Sequence, residues 1–347
     1  MLRRLLLTLL AASALAASVR AETVYFVSKS NGGLYTFNTA GGPVTSLSGA
    51  GPGTFTSPSA LAMGPDGNLY IGDETDGGSI RRYAMSGGTV SMVVGLSGSN
   101  PPFGSGTVAP AAIAFTPGGS MLVGRNPEKR SVNYPSGEVL EVVGWNGGAP
   151  TVQNYTSGTA LNYQTGLAVA PNGTLYASNT TYGLINLEGN VVRFDASGVY
   201  QSVVATDSAG TGRFGPAGLA LSGNSLYIAS IHISNTFDLY GDIYKTDLTN
   251  PDTATNTSTF ASITGDVMGP LALLSNGGLL AGGVADPRGL IYQFGPSGDL
   301  VNTFNLAGSF GQIGGIVAVP EPGAMLLAAV AGVVLGLRHV SGRLRRS

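Results

Sequence analysis

Short apolar runs alternate with turns rich in Gly, Pro, Asn and Asp along most of the chain, and the alternation repeats as a phrase. Residues 59–73 read SALAMGPDGNLYIGD, an apolar run, a Pro-Asp-Gly-Asn turn and a second apolar run. The phrase returns as AAIAFTPGGSMLVGR at 111–125, GLAVAPNGTLYASN at 166–179, AGLALSGNSLYIAS at 217–230 and GPLALLSNGGLLAGG at 269–283. With Leu61, Ile113, Leu167, Leu219 and Leu271 as register marks, the steps are 52, 54, 52 and 52 residues. A period this steady marks a repeat architecture.

Each turn is built of residues that tolerate tight or left-handed backbone, so each pair of runs predicts a hairpin. A third run follows in every unit, at 79–84, 137–143, 190–195, 241–247 and 289–295, then a polar turn and a fourth run such as 89–94. Four short strands per unit are the grammar of a β-propeller blade. In Leu69-Tyr70-Ile71 both strand faces are apolar, as expected of strands packed between neighbouring blades. The ends supply one more unit between them. GGIVAVP at 314–320 matches an inner strand with no partner after it, and TVYFVSKSNGGLYTF at 23–37 matches second and third strands with no inner strand before them. The prediction is an all-β, six-bladed propeller closed by N- and C-terminal strands in one blade, which removes the open ends that a linear stack of blades would expose.

Composition narrows the chemistry. Glycine is 54 of 347 residues and apolar residues reach 43%, the mixture of many turns and a large core that this fold needs. A formal charge of -2 with only 10% charged residues leaves no basic face, so nucleic acid is not an expected partner. The absence of cysteine excludes disulfides, thiolate metal sites and a cysteine nucleophile.

The two ends carry an address. Residues 1–21 open with Arg3 and Arg4, continue through an apolar stretch and finish at Val19-Arg20-Ala21, the layout of a secretory signal peptide. At the other end an uncharged apolar run, 323–337, precedes Arg338, Arg343, Arg345 and Arg346, a cationic stop for a transmembrane helix. Pro320-Glu321-Pro322, then the apolar run, then the arginine cluster resembles the PEP-CTERM sorting signal of Gram-negative bacteria that make extracellular polysaccharide. That resemblance implies an exosortase-type membrane protease as partner and a transient inner-membrane anchor. The protein would then be released or re-attached at the cell surface or in the extracellular matrix. The domains expected are 1–21, signal peptide; 22–319, propeller; and 320–347, sorting signal.

The repeat unit itself resembles the NHL repeat, through Gly51, Gly53, Phe55, Pro58, Leu61, Ala62, Asp66, Gly67, Tyr70, Asp73, Ile80 and Tyr83. Other copies depart from it at the position of Asp73, where Arg125, Asn179, Ser230 and Gly283 stand. An enzyme of this shape would resemble the gluconolactonase-like propellers, which hold a divalent cation at the axial mouth with carboxylate and amide oxygens. Oxygen ligands must converge on such an ion from several blades. The residues ending each second strand and entering each inner strand supply only Asp73 and Asn179, so no metal, cofactor or catalytic residue is assigned. His232 is the only histidine outside the tail, and no nucleophile elbow or metal-binding helix motif is present.

In a propeller the turns joining first to second and third to fourth strands share one face, and here they are short. Insertions at 97–110, 126–136, 180–189 and 231–240 fall on the other face. Long loops on a rigid rim are where binding residues gather. The candidate ligand face therefore carries Asp73, Arg125, Lys129, Tyr134, Asn179, Tyr182, His232, Asp238 and Tyr240. Three readings follow: a non-catalytic surface propeller binding a glycan such as extracellular polysaccharide, or a surface protein; a secreted metal-dependent lactonase or hydrolase; and a structural spacer.

Overall fold

The computed structural model describes residues 21–74, 78–96, 108–127, 137–159, 161–182, 187–206, 214–233, 239–251, 257–284, 289–306 and 310–320. They form 24 strands in six four-stranded antiparallel sheets, with no helix among the described residues. Blade 1 joins β24 (Ile313–Pro320) to β1 (Glu22–Ser28), β2 (Gly33–Asn38) and β3 (Thr45–Ser46). Blade 2 is β4 (Pro58–Met63), β5 (Leu69–Asp73), β6 (Ser79–Ala84) and β7 (Thr89–Gly95). Blade 3 is β8 (Val108–Phe115), β9 (Met121–Pro127), β10 (Glu138–Val143) and β11 (Thr151–Asn154). Blade 4 is β12 (Leu167–Val169), β13 (Leu175–Tyr182), β14 (Leu187–Phe194) and β15 (Tyr200–Thr206). Blade 5 is β16 (Gly215–Ser222), β17 (Ser225–Ile233), β18 (Leu239–Asp247) and β19 (Thr257–Thr264). Blade 6 is β20 (Met268–Leu273), β21 (Leu279–Gly283), β22 (Leu290–Phe294) and β23 (Leu300–Asn305).

The ring is closed as the end fragments predict, with β1 antiparallel to β24 and Phe26 opposite Ile316. The strand runs one residue past the expected domain edge, because Pro320 still pairs with Glu22.

The core is not one mass but six clusters, each shared by two adjacent blades. Val27 and Leu34 of blade 1 pack on Leu61, Leu69 and Ile71 of blade 2. On the other side of the same sheet, Tyr70 and Ile80 meet Met121, Val123, Leu140 and Trp145 of blade 3. This is why second strands are apolar on both faces: all five residues of β5 and of β21 are buried. Outer strands have a neighbour on one edge only, and β23 is exposed along most of its length. Trp145 belongs to this packing, since its indole Nε1 donates to the Gly119 carbonyl at 2.7 Å and its ring meets Tyr70 edge-on at 5.1 Å. Burying a side chain of this class contributes about 1.5–3 kcal/mol, so six interfaces of this kind carry the fold without cross-links.

Inner strands converge so closely that side chains are excluded at one level. A Cβ at Gly166 would lie 2.1 Å from the Ala217 carbonyl oxygen, and one at Gly218 the same distance from that of Gly269.

All four stretches expected as loop insertions are partly strand, the two in blade 3 through Val108↔Pro127 and Ala109↔Asn126 of β8 and β9. In blade 4 the middle hairpin continues through Thr180↔Gly189 to Tyr182↔Leu187, and in blade 5 through His232↔Tyr240 to Ile233↔Leu239. The β-branched and aromatic residues Thr180, Thr181, Tyr182, Ile231 and Ile233 favour extended backbone over irregular loop. The signal peptide and the sorting segment after Pro320 lie outside the described residues.

Candidate functional site

The six inner strands surround an axial cavity of about 660 Å³ that opens on the face opposite the short turns. Leu61, Ile113, Leu167, Leu219, Leu271 and Ile316, one from each blade, line it at its apolar level. Nearer the mouth come the strand entries, Ser59, Ala111, Thr165, Ala217, Gly269 and Gly314. The rim is completed by Lys29, Glu74, Asn126, Thr180, Ile231 and Val284. Each of these rim residues stands one position beyond the second-strand residue aligned with Asp73. Lys29, Glu74 and Val284 lie just past the ends of β1, β5 and β21, where the chain leaves the blade stack, and Asn126, Thr180 and Ile231 stand at the matching positions in the longer second strands.

Among the described residues the mouth is polar with little charge. Among the lining residues only Lys29 and Glu74 are ionic, and they pair across blades 1 and 2 at 2.7 Å, with side chains 29% and 25% exposed. Glu74 also accepts from the Ser57 hydroxyl at 3.0 Å. Two further hydroxyls stitch neighbouring blades, Ser59 donating to the Pro110 carbonyl at 2.7 Å and Thr180 to the Pro216 carbonyl at 2.6 Å. Asn126 accepts from the Gln164 amide at 2.6 Å, joining blade 3 to the lead-in of blade 4. Each hydroxyl used as donor here keeps its acceptor capacity.

The candidate residues named from the sequence divide into three groups. Asp73, Arg125 and Asn179 are buried beside the cavity and do not line it. Asp73 accepts from the Ser57 and Thr56 amides at 2.9 and 3.3 Å and lies 3.6 Å from Arg81. Asn179 accepts from the Asn162 amide at 2.7 Å and donates to Asn190 at 3.1 Å. Arg125 lies 3.5 Å from Glu138, and burial pulls its guanidinium pKa down while that carboxylate pulls it up. These three fasten loops and blades. Tyr240 is half-buried in β18, opposite Thr264 and His232, and Tyr182 and His232 are placed by their backbone pairing alone. Lys129, Tyr134 and Asp238 lie outside the described residues, as do Glu321, Pro322, Arg338, Arg343, Arg345 and Arg346; Pro320 ends β24.

Of the rim residues, Lys29, Asn126 and Thr180 were not singled out by sequence, and Glu74, beside Asp73 and Asp76 in the stretch DETDGG, reads there as part of a turn. Their one signal in the sequence is adjacency to the residues aligned with Asp73 at the ends of the second strands. Among the described residues no group of three or more His, Cys, Asp or Glu side chains is placed to hold a metal ion. Glu74, the one carboxylate among the described lining residues, already faces an ammonium.

No protein-family model and no curated protein matches the sequence. Solved structures do resemble the fold. A chain of a nidogen/laminin complex superposes with a TM-score of 0.61 at 12% identity, covering 86% of this chain and 98% of that one. A putative 6-phosphogluconolactonase from Bacteroides uniformis gives 0.54 at 15%, covering 86% and 100%. Regucalcin from Agrobacterium tumefaciens, described as a calcium-binding protein, gives 0.51 at 11%, covering 73% and 75%. The chain is thus a six-bladed β-propeller with structural neighbours of the gluconolactonase and regucalcin type, and at these identities the likeness concerns the fold alone.

Proposed function

We propose that the protein is an exported, surface-associated propeller without catalytic activity, which binds a neutral glycan at the axial mouth of its loop-rich face. Its C-terminal Pro-Glu-Pro segment is processed by an exosortase-type protease. The observation that carries the binding reading is the mouth itself, a cavity of about 660 Å³ lined among the described residues by hydroxyl and amide groups and by one ionic pair that neutralises itself. A cavity of this volume holds a ligand of a few sugar rings, and polar groups above an apolar floor suit a molecule that is hydroxylated at its edges and apolar on its ring faces. The sequence pattern at both ends supports export and processing.

The test is calorimetric titration of the purified protein with neutral and acidic oligosaccharides, alongside Ala111→Trp, which fills the mouth from the entry of β8. A neutral oligosaccharide should bind the natural protein, and the variant should lose that binding at unchanged melting temperature. Binding that survives the substitution would move the site off the axis. A stoichiometric divalent ion that raises the melting temperature would favour the hydrolase reading instead.

A further inference from the structure

The two ends of the propeller leave it together, and on the face away from the cavity. Glu22, at the start of β1, is the register partner of Pro320, at the end of β24. Both sit among the short turns, where the Glu22 carboxylate accepts from the Ser275 amide of the blade 6 turn at 2.6 Å. The opposite ends of the same strands reach the mouth, since Lys29, Gln312 and Ile313 line the cavity. Mouth and exits are therefore separated by the length of β24, eight residues, or roughly 26 Å at about 3.3 Å per residue.

The apolar run at 323–337 begins almost at once, with only Glu321 and Pro322 between Pro320 and Gly323. Three Cα steps span at most about 11 Å even when extended. The headgroup layer on one side of a bilayer is itself about 5–8 Å deep. The tether is long enough to cross that layer and too short to let a propeller turn over.

We infer that, while the C-terminal run is in a membrane, the short-turn face lies against the bilayer and the axial mouth points away from it, open to a ligand outside. This rests on the reading of 323–337 as a membrane segment and is independent of what the mouth binds. Residues preceding Glu22 leave from the same face, so a retained N-terminal segment imposes the same orientation.

The absence of native cysteine makes the test clean. Single Ser86→Cys and Ser197→Cys place a fluorophore on exposed short turns of blades 2 and 4, and Thr56→Cys places one on the exposed lead-in at the mouth side. The full chain is reconstituted in phosphatidylcholine vesicles, floated on a gradient, and quenched with nitroxide-labelled lipid. Dyes at Ser86→Cys and Ser197→Cys should be quenched at least about twofold more than at Thr56→Cys, given faces roughly 26 Å apart. Equal quenching at the three sites, or stronger quenching at Thr56→Cys, in chains that do float would overturn the orientation and leave the membrane reading standing. A chain that stays at the bottom of the gradient would overturn the membrane reading, and the orientation with it.

Discussion

Blades 2 and 6 fasten the same junction with a carboxylate supplied from opposite sides. In blade 2 the acid ends the second strand: Asp73 reaches back to the amides of Thr56 and Ser57 in the lead-in to β4. In blade 6 the equivalent second-strand position is Gly283, paired with Met268 as Asp73 is with Pro58. There the acid belongs to the lead-in. Asp266 accepts from the Val267 amide at 2.8 Å and the Tyr292 hydroxyl at 3.0 Å, and a Cβ on Gly283 would lie 2.4 Å from its Oδ2. Glycine in blade 6 thus makes room for the carboxylate that its own strand does not provide. What blades 2 and 6 share is a buried carboxylate at the same junction, not an acid at one position in sequence.

The sharpest way to break this equivalence is to supply both acids at once. Gly283→Asp would force two buried carboxylates into the space of one, combining overpacking with like-charge repulsion, and should cost at least about 3 kcal/mol. Adding Asp266→Ala to the same chain should recover more than half of the loss, because the new acid can then serve the lead-in as Asp73 does. Chemical denaturation of the two variants reads both effects. Recovery by less than a quarter would show that the two blades are fastened differently. Asp73→Ala comes next in size: it strands the Thr56 and Ser57 amides and the Arg81 guanidinium, and should cost about 2–3 kcal/mol. Asp73→Asn keeps one acceptor and should cost less than Ala.

The same comparison explains how far the sequence could be read. The fold was legible almost completely, because the Leu-Ala register marks, the DG- and NG-type turns and the half-blades at the two ends all follow from local chemistry. The latch in blade 6 was not legible. Asp266 stands in a lead-in with no repeat-wide pattern, and only its contact with Gly283 reveals what it replaces. The site was misplaced by one residue for a related reason. Reading the strand-end acids and amides as axial put Asp73 and Asn179 at the mouth, whereas they turn inward to fasten loops and the next residues, Glu74 and Thr180, line it. The extended hairpins of blades 4 and 5 were read as loops because polar residues such as Asn and Thr dominate their ends.

Blade 2 also carries the pH-dependent pair that sharpens the contrast. The Tyr70 hydroxyl donates to Asp66 at 2.8 Å, and burial, followed by the hydrogen bond and charge of Asp66, raises the Tyr70 phenol far above its ordinary value of 10.0. Burial also raises Tyr25, Tyr35, Tyr83, Tyr155 and Tyr176. A phenol whose folded pKa exceeds the unfolded one holds its proton more tightly in the native state. The stability this provides is intact below pH 10 and is lost as pH rises beyond it. The melting temperature should therefore fall steeply above pH 10, and Tyr70→Phe should make that fall shallower. At neutral pH the same variant should cost only about 1 kcal/mol, the net worth of one hydrogen bond. Blade 6 has Leu280 at the equivalent position, so substitution there should leave the alkaline slope unchanged.

The smallest effect belongs to the residue one step beyond Asp73. Glu74 is a quarter exposed and paired with Lys29, and pairs at such partly solvated positions are worth about 0.2–1 kcal/mol. Glu74→Gln keeps the size and an acceptor for Ser57, so its stability should change by less than about 1 kcal/mol. Its neighbour Asp73→Ala should cost several times as much, although the two side chains are adjacent in sequence. If the mouth binds a neutral glycan, Glu74→Gln leaves that affinity within about threefold at 150 mM salt, because neither the ligand nor the paired site carries net charge. It should, however, leave Lys29 unneutralised and raise affinity for an acidic oligosaccharide, more so at low salt. Titration of both sugar classes at two salt concentrations separates the outcomes. A large loss for the neutral sugar alone would make Glu74 a direct ligand contact rather than half of an internal ion pair.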